Sequence, residues 1–134
     1  KSWTGPGEPT VSEGASENTL IIGGRFLHSA FKGTFFGMPF EGMGITGYNN
    51  QKKQFEGVWV DNMGSAVSWS HGSVDPLGKV ITMTTMFTDP ATGKETPYRM
   101  VTKIVDTNQH TFAMVGSKDG KDHTEMEITY TRVK

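Results

Sequence analysis

Residues 55–88, FEGVWVDNMGSAVSWSHGSVDPLGKVITMTTMFT, read as three strands in succession, broken at Asp61-Asn-Met-Gly-Ser65 and at Asp75-Pro-Leu-Gly-Lys79. Gln54 to Asp61 puts Phe55, Gly57 and Trp59 on one side and Val58 and Val60 on the other. Val67, Trp69 and His71 share a side of the next strand, opposite Ser68, Ser70 and Gly72. Ile81, Met83 and Phe87 align in the third, opposite Thr82 and Thr84. The stretch holds two of the three tryptophans and three of the eight methionines, so it is where a core wall is expected. A period of two, repeated across short polar breaks, is the pattern of strands joined by tight turns.

The pattern extends in both directions. Upstream, Asn49-Asn50-Gln51-Lys52 is a turn, with asparagine suited to positive φ. Phe40 to Tyr48 is a glycine-rich strand, Gly37-Met38-Pro39 closes a hairpin, and Arg25 to Phe36 is a long strand with apolar groups on both faces. Gly23-Gly24 permits a sharp bend. Thr10 to Leu20 is a polar strand, and Gly5-Pro6-Gly7 ends a short one at Lys1–Thr4. The chain opens without an initiator methionine on what reads as a strand end, so a strand pairing with this edge is expected to be missing.

Downstream, Asp89-Pro90-Ala91-Thr92-Gly93-Lys94 turns. Tyr98, Met100 and Ile104 share a face opposite Arg99 and Lys103, and His110, Phe112 and Met114 share another. Lys118-Asp119-Gly120-Lys121 turns again. Met126, Ile128 and Tyr130 then alternate with Glu125, Glu127, Thr129 and Thr131, which places the two glutamates on the solvated side.

The sum is an all-β protein: an antiparallel up-and-down meander of 8–10 strands in one domain, residues 1–134. Short loops favour antiparallel neighbours, because parallel pairing needs a long crossover. No long Greek-key return interrupts the hairpins, so the meander is expected to close into a barrel.

Bulk properties exclude several classes of function. A formal net charge of −1 with aromatics set among Thr, Ser and Gly is not the basic field of a nucleic-acid binder. No apolar run is long enough for a membrane-spanning helix. The chain has no cysteine, which removes disulfides, thiolate catalysis and Cys-ligated zinc. Neither a GxSxG elbow nor a P-loop nor a GxGxxG after a strand is present. The sequence does not read as an enzyme, and no cofactor is expected.

Four phrases in order, Gly23-Gly24-Arg25-Phe26-Leu27, Gly42 to Tyr48 (GMGITGY), Trp59-Val60-Asp61 and Met126 to Arg132 (MEITYTR), make the chain resemble the domain of unknown function 1579 family over essentially its whole length. The resemblance implies a lipocalin-like (calycin) β-barrel, a bacterial source and export to the periplasm or outside the cell. Members carry a further amino-terminal segment with a Gly-x-Trp strand ahead of the position of Lys1. The family brings no established activity.

A barrel of this size either encloses one small ligand or is filled by its own side chains. The inward set by parity is Phe55, Trp59, Val67, Trp69, Ile81, Met83, Phe87, Tyr98, Met100, Phe112, Met114, Met126, Ile128 and Tyr130. Flexible methionines and flat rings suit an irregular apolar or amphipathic ligand. The candidate contacts are Phe55, Trp59, Trp69, His71, Met83, Phe87, Met100, Met114 and Arg132. Arg132 would close the barrel end or meet an anionic headgroup.

His71 and His110 fall in apolar parity and are the candidates for an acid–base or haem-ligating group, while His28 and His123 sit on mixed faces. No pair has metal-ligand spacing, and the methionines follow core parity, so no metal is expected. Arg25, Arg99 and Arg132 with Glu125, Glu127 and Asp61 are candidates for polar clusters at a barrel end. The alternative to ligand binding is a structural or self-assembling protein, pairing as a homo-oligomer through an open strand edge.

Overall fold

The computed structural model describes residues 8–88, 92–118 and 120–133. Nine strands and no helix occur among them, and the strands run as an antiparallel meander in chain order. They are β1 (Gly14–Ile21), β2 (Phe26–Phe35), β3 (Met38–Asn49), β4 (Gln54–Asp61), β5 (Ser68–Val74), β6 (Val80–Thr88), β7 (Glu95–Asp106), β8 (Gln109–Lys118) and β9 (Lys121–Thr131). The all-β up-and-down reading therefore holds, with the strand count inside the expected range. The strand expected at Lys1–Thr4, its Gly5-Pro6-Gly7 break, Asp89-Pro90-Ala91 and Asp119 lie outside the described residues.

The chain divides into two compact units, one Val11–His71, the other from Gly72 onward with residues 8–10. In the amino-terminal unit β1 to β4 pair as successive antiparallel neighbours. Its ladder is narrowed by glycines, and large rings lie over them. A Cβ on Gly42 would stand 2.4 Å from the Trp59 ring, and one on Gly44 would stand 2.9 Å from it. Phe31 covers Gly14 in the same manner, at 2.6 Å, and Phe26 covers Gly47, at 2.5 Å. A ring laid across a bare strand restores the contact surface that glycine lacks.

Two turns of this unit differ from expectation. The β2–β3 hairpin turns at Phe36-Gly37, one residue before the expected Gly37-Met38-Pro39, and both residues have positive φ, 48° and 77°. That is a two-residue turn whose backbone follows the strand twist. It places a bulky residue where glycine or asparagine is usual, which is why the sequence pointed elsewhere. In the β3–β4 turn the positive φ falls on Lys53, at 55°, and not on an asparagine. Asn49 acts through its side chain instead: Oδ1 accepts from the Gln51 and Lys52 amides at 3.0 and 3.1 Å.

In the carboxy-terminal unit β6, β7, β8 and β9 pair successively, with irregularities at Ile104/Asp106 and at Met114/Val115. The connection into β6 is tied by Asp75, whose Oδ1 accepts from the Lys79 and Val80 amides at 2.8 and 3.0 Å. Those backbone hydrogen bonds, Val80 first, hold its carboxyl below the ordinary value of 3.8.

Candidate functional site

Register across β6 to β9 sorts one face of the carboxy-terminal unit into rows. Met83 pairs with Met100, Met100 with Met114, and Met114 with Met126, so four adjacent strands contribute one methionine each to a single row. The next row is Ile81, Thr102, Phe112 and Ile128, and the one beyond it is Ile104, His110 and Tyr130. On the other side of the methionines lie Thr85, Tyr98, Gly116 and His123. Directly opposed residues in a sheet stand about 5 Å apart at Cβ, so each row is a band of neighbouring side chains.

This face is only partly covered. Met83 is 9% and Thr85 2% exposed, yet Met100, Met114, Met126, Phe112 and Ile128 stay half-buried. No large side chain among the described residues is fully buried. Unbranched thioethers adapt to an irregular partner and contact rings favourably.

The two ends of the face differ chemically. At one end the His110 and Tyr130 rings stack, with centroids 4.6 Å apart and an interplanar angle of 17°. Burial lowers the His110 imidazole below its ordinary 6.5 and raises the Tyr130 phenol above 10.0. His110 is thus held toward its neutral form, against a ring, with no metal cluster around it: among the described residues no group of three His, Cys, Asp or Glu converges.

At the other end a bulge changes the pattern. Met114 pairs with Met126, but Val115 pairs with Thr124, which leaves Glu125 as the extra residue of β9. The two-residue alternation breaks there. His123 comes onto the methionine face opposite Gly116, and Glu125 joins it, not the solvated side expected from parity. The Tyr98 hydroxyl donates to Glu125 Oε1 at 3.1 Å, and His123 Nε2 lies 3.1 Å from the same oxygen. Gly116 makes room for the pair: a Cβ there would meet Tyr98 at 2.8 Å and His123 at 3.0 Å. Phe87 packs edge-on against Tyr98 with centroids 5.1 Å apart. Glu125 was expected in a polar cluster with arginines; its grouping with Tyr98 and His123 was not expected. Nothing in MEITYTR or the residues before it marks a bulge.

The remaining candidates scatter. Trp59 and Phe55 share a face of β4, and Trp59 Nε1 donates to Asp61 Oδ2 at 2.9 Å. Asp61 also accepts from the Met63 amide through Oδ1, at 2.9 Å, so it braces the ring and the following turn together. Phe55 meets Tyr48 edge-on at 5.0 Å. Trp69 is 71% exposed and Val67 49%. The inward assignment of Val67, Trp69 and His71 is corrected by register. A Cβ on Gly57 would stand 3.0 Å from Ser70 Oγ, so Ser70 takes the Trp59 side. Trp69 and His71 then share the opposite side with Glu56, whose carboxyl His71 helps to lower. The alternation within β5 holds, but its apolar set takes the opposite face, because a slip of one residue exchanges every side chain.

Glu56 itself is lowered mainly by Asn49 and then by Gln54, whose amides donate to its two oxygens at 2.9 and 3.0 Å. Arg132 lies exposed past the end of β9, its amide donating to the Asn108 carbonyl at 2.7 Å. Arg99 is not joined to Glu125; it pairs with Asp122. His28 is half-buried on β2, opposite Ile45 and Thr19.

The amino-terminal unit also has a depression lined by Met43, Gly44, Ile45, Val58 and Val60. At about 80 Å³ it is shallow and far below the 300–1,000 Å³ of ordinary small-molecule sites.

The model of the family described as protein of unknown function (domain of unknown function 1579) matches residues 1–132. The chain belongs to that family. No curated protein and no solved structure matches it. Of the phrases that carry the resemblance, Trp59-Val60-Asp61 makes a ring-to-carboxylate hydrogen bond. GMGITGY supplies the glycines under Trp59. Met126 to Arg132 supplies one edge of the methionine face. No described helix is long and apolar enough to cross a membrane.

Proposed function

We propose that this protein binds a small apolar or amphipathic molecule, held on the methionine face of the carboxy-terminal unit. The observation that supports the reading is the row Met83–Met100–Met114–Met126, in register on four adjacent strands and half-buried over three of its four members. Of the contacts expected from sequence, Met83, Met100, Met114 and Phe87 belong to this face. Ile81, Phe112 and Ile128 extend it. Covering what remains exposed of such a row contributes a few kcal/mol, at about 25 cal/mol per Å². The face is long enough for an alkyl chain: Gly116 lies six residue steps from His110 along β8, about 20 Å at strand rise.

The test is titration with a neutral, environment-sensitive dye such as Nile red, on the parent and on Met100→Gln/Met114→Gln. The parent binds with a blue-shifted, enhanced emission, and the double variant loses at least about tenfold in affinity with an unchanged circular dichroism spectrum. No enhancement in the parent, or equal binding by both, overturns the reading.

A second reading, self-assembly, draws support from the exposed apolar side chains on and beside β1, with Leu20 65% and Ile22 70% exposed. Light scattering over a range of concentrations decides it: a constant monomer mass removes it.

A further inference from the structure

The polar group at the end of the methionine face specifies what kind of head the ligand carries. Glu125 is placed there by the bulge and is fixed by Tyr98 and His123 through one oxygen, while its side chain keeps 37% of its surface accessible. A carboxylate held this way accepts hydrogen bonds and attracts positive charge. It repels a second carboxylate or a phosphate. Beside it, the Phe87 and Tyr98 rings meet edge to face, and ring faces near a carboxylate are the surroundings that favour an ammonium group. Arg99 of β7 points to the other side of the strand and is engaged by Asp122, so it does not neutralise this end, and His123 on β9 pairs with Glu125 as a charge only when it is protonated. The whole chain has a net charge of only −1, so a preference for cations would arise locally and not from the overall field.

We infer that the ligand is a cationic amphiphile, a primary or substituted amine on an alkyl or aryl body, whose head sits at Glu125 between Tyr98 and His123 and whose body lies along the methionine row. The inference rests on the proposed binding function and adds the class of molecule. Glu125 supplies the charge. Tyr98 and His123 are positioning residues that hold the carboxylate on this face. Gly116 is the small residue that lets the two rings meet over the ladder.

The experiment is calorimetric titration at neutral pH with three ligands of one chain length, dodecylamine, dodecanol and dodecanoate, each below its aggregation concentration. Dodecylamine, cationic at this pH, binds about tenfold more tightly than dodecanol, and dodecanoate binds most weakly. In Glu125→Gln, with an unchanged circular dichroism spectrum, the advantage of the amine over the alcohol falls below about threefold. Equal affinities for all three, tighter binding of dodecanoate, or an amine advantage that survives Glu125→Gln overturns the head-group assignment and leaves the binding function standing. Absence of binding by all three overturns both.

Discussion

The two units cover their sheets by different means. The amino-terminal unit uses aromatic rings on glycine: Trp59 over Gly42 and Gly44, Phe31 over Gly14, Phe26 over Gly47. The carboxy-terminal unit uses methionine beside methionine, with Phe112, Ile81 and Ile128 in the next row. A ring on a bare strand is a close fit between rigid shapes, and it satisfies itself locally. A row of unbranched side chains is adaptable, and three of its four members keep part of their surface exposed. The first arrangement suits a fixed wall and the second a surface that re-forms around something else.

The largest expected effect comes from disturbing the rigid side. Gly42→Val puts a branched side chain where even a Cβ would stand 2.4 Å from Trp59. It should lower stability by about 3 kcal/mol, with a fall in Tm of about 10 °C and a changed near-ultraviolet dichroism band for Trp59. An unchanged Tm would show that the ring moves freely, and the contrast between the units would fail.

Next is a pH dependence belonging to the flexible side. Burial lowers the His110 pKa in the folded protein, so the unfolded chain binds the proton more readily. The stability that neutral His110 contributes is complete above its ordinary 6.5 and is lost as pH falls from there toward the lowered folded value. Urea midpoints between pH 7.5 and 5 should therefore decline, and His110→Gln should flatten the decline in that window. A slope unaltered by the substitution would assign it to other groups.

Swapping thioethers for branched apolar groups should matter less. Met100→Leu and Met114→Leu together should cost under about 1.5 kcal/mol in a urea melt, because volume is nearly conserved and the row has space to adjust. A loss comparable to that of Gly42→Val would mean that the methionine face is as tightly fitted as the tryptophan one.

The smallest effect is a gain. Lys53 holds a φ of 55°, a region that costs an ordinary side chain about 1 kcal/mol. Lys53→Gly should raise stability by about 0.5 kcal/mol, read as a slightly higher urea midpoint.

The fold was legible because the signals that set it are local and repeat. The β4 boundaries Gln54–Asp61 follow directly from the alternation around Trp59, and the polar breaks at residues 61–65 and 75–79 separate the strands as expected. What was hidden depends on relations between strands. Which face Trp69 takes is decided by the register of Ser70 with Gly57, and no parity within β5 contains that information. The Phe36-Gly37 turn was displaced by one residue because phenylalanine is not expected at positive φ. The methionines were visible as apolar positions, yet their meeting in a single row depends on three separate registers. The polar group at Glu125 depends on a bulge, and the residues around it carry no glycine or proline to announce it.

That bulge has a consequence for how such a site changes over generations. Met114 opposite Met126 and Val115 opposite Thr124 would both keep their partners if Glu125 were deleted, since it is the residue the ladder does not use. The charge of the site is therefore carried by a position that can be gained or lost as one codon, with the apolar rows on either side left in register. On the binding reading proposed above, a lineage can rewrite the head-group preference without redesigning the apolar wall.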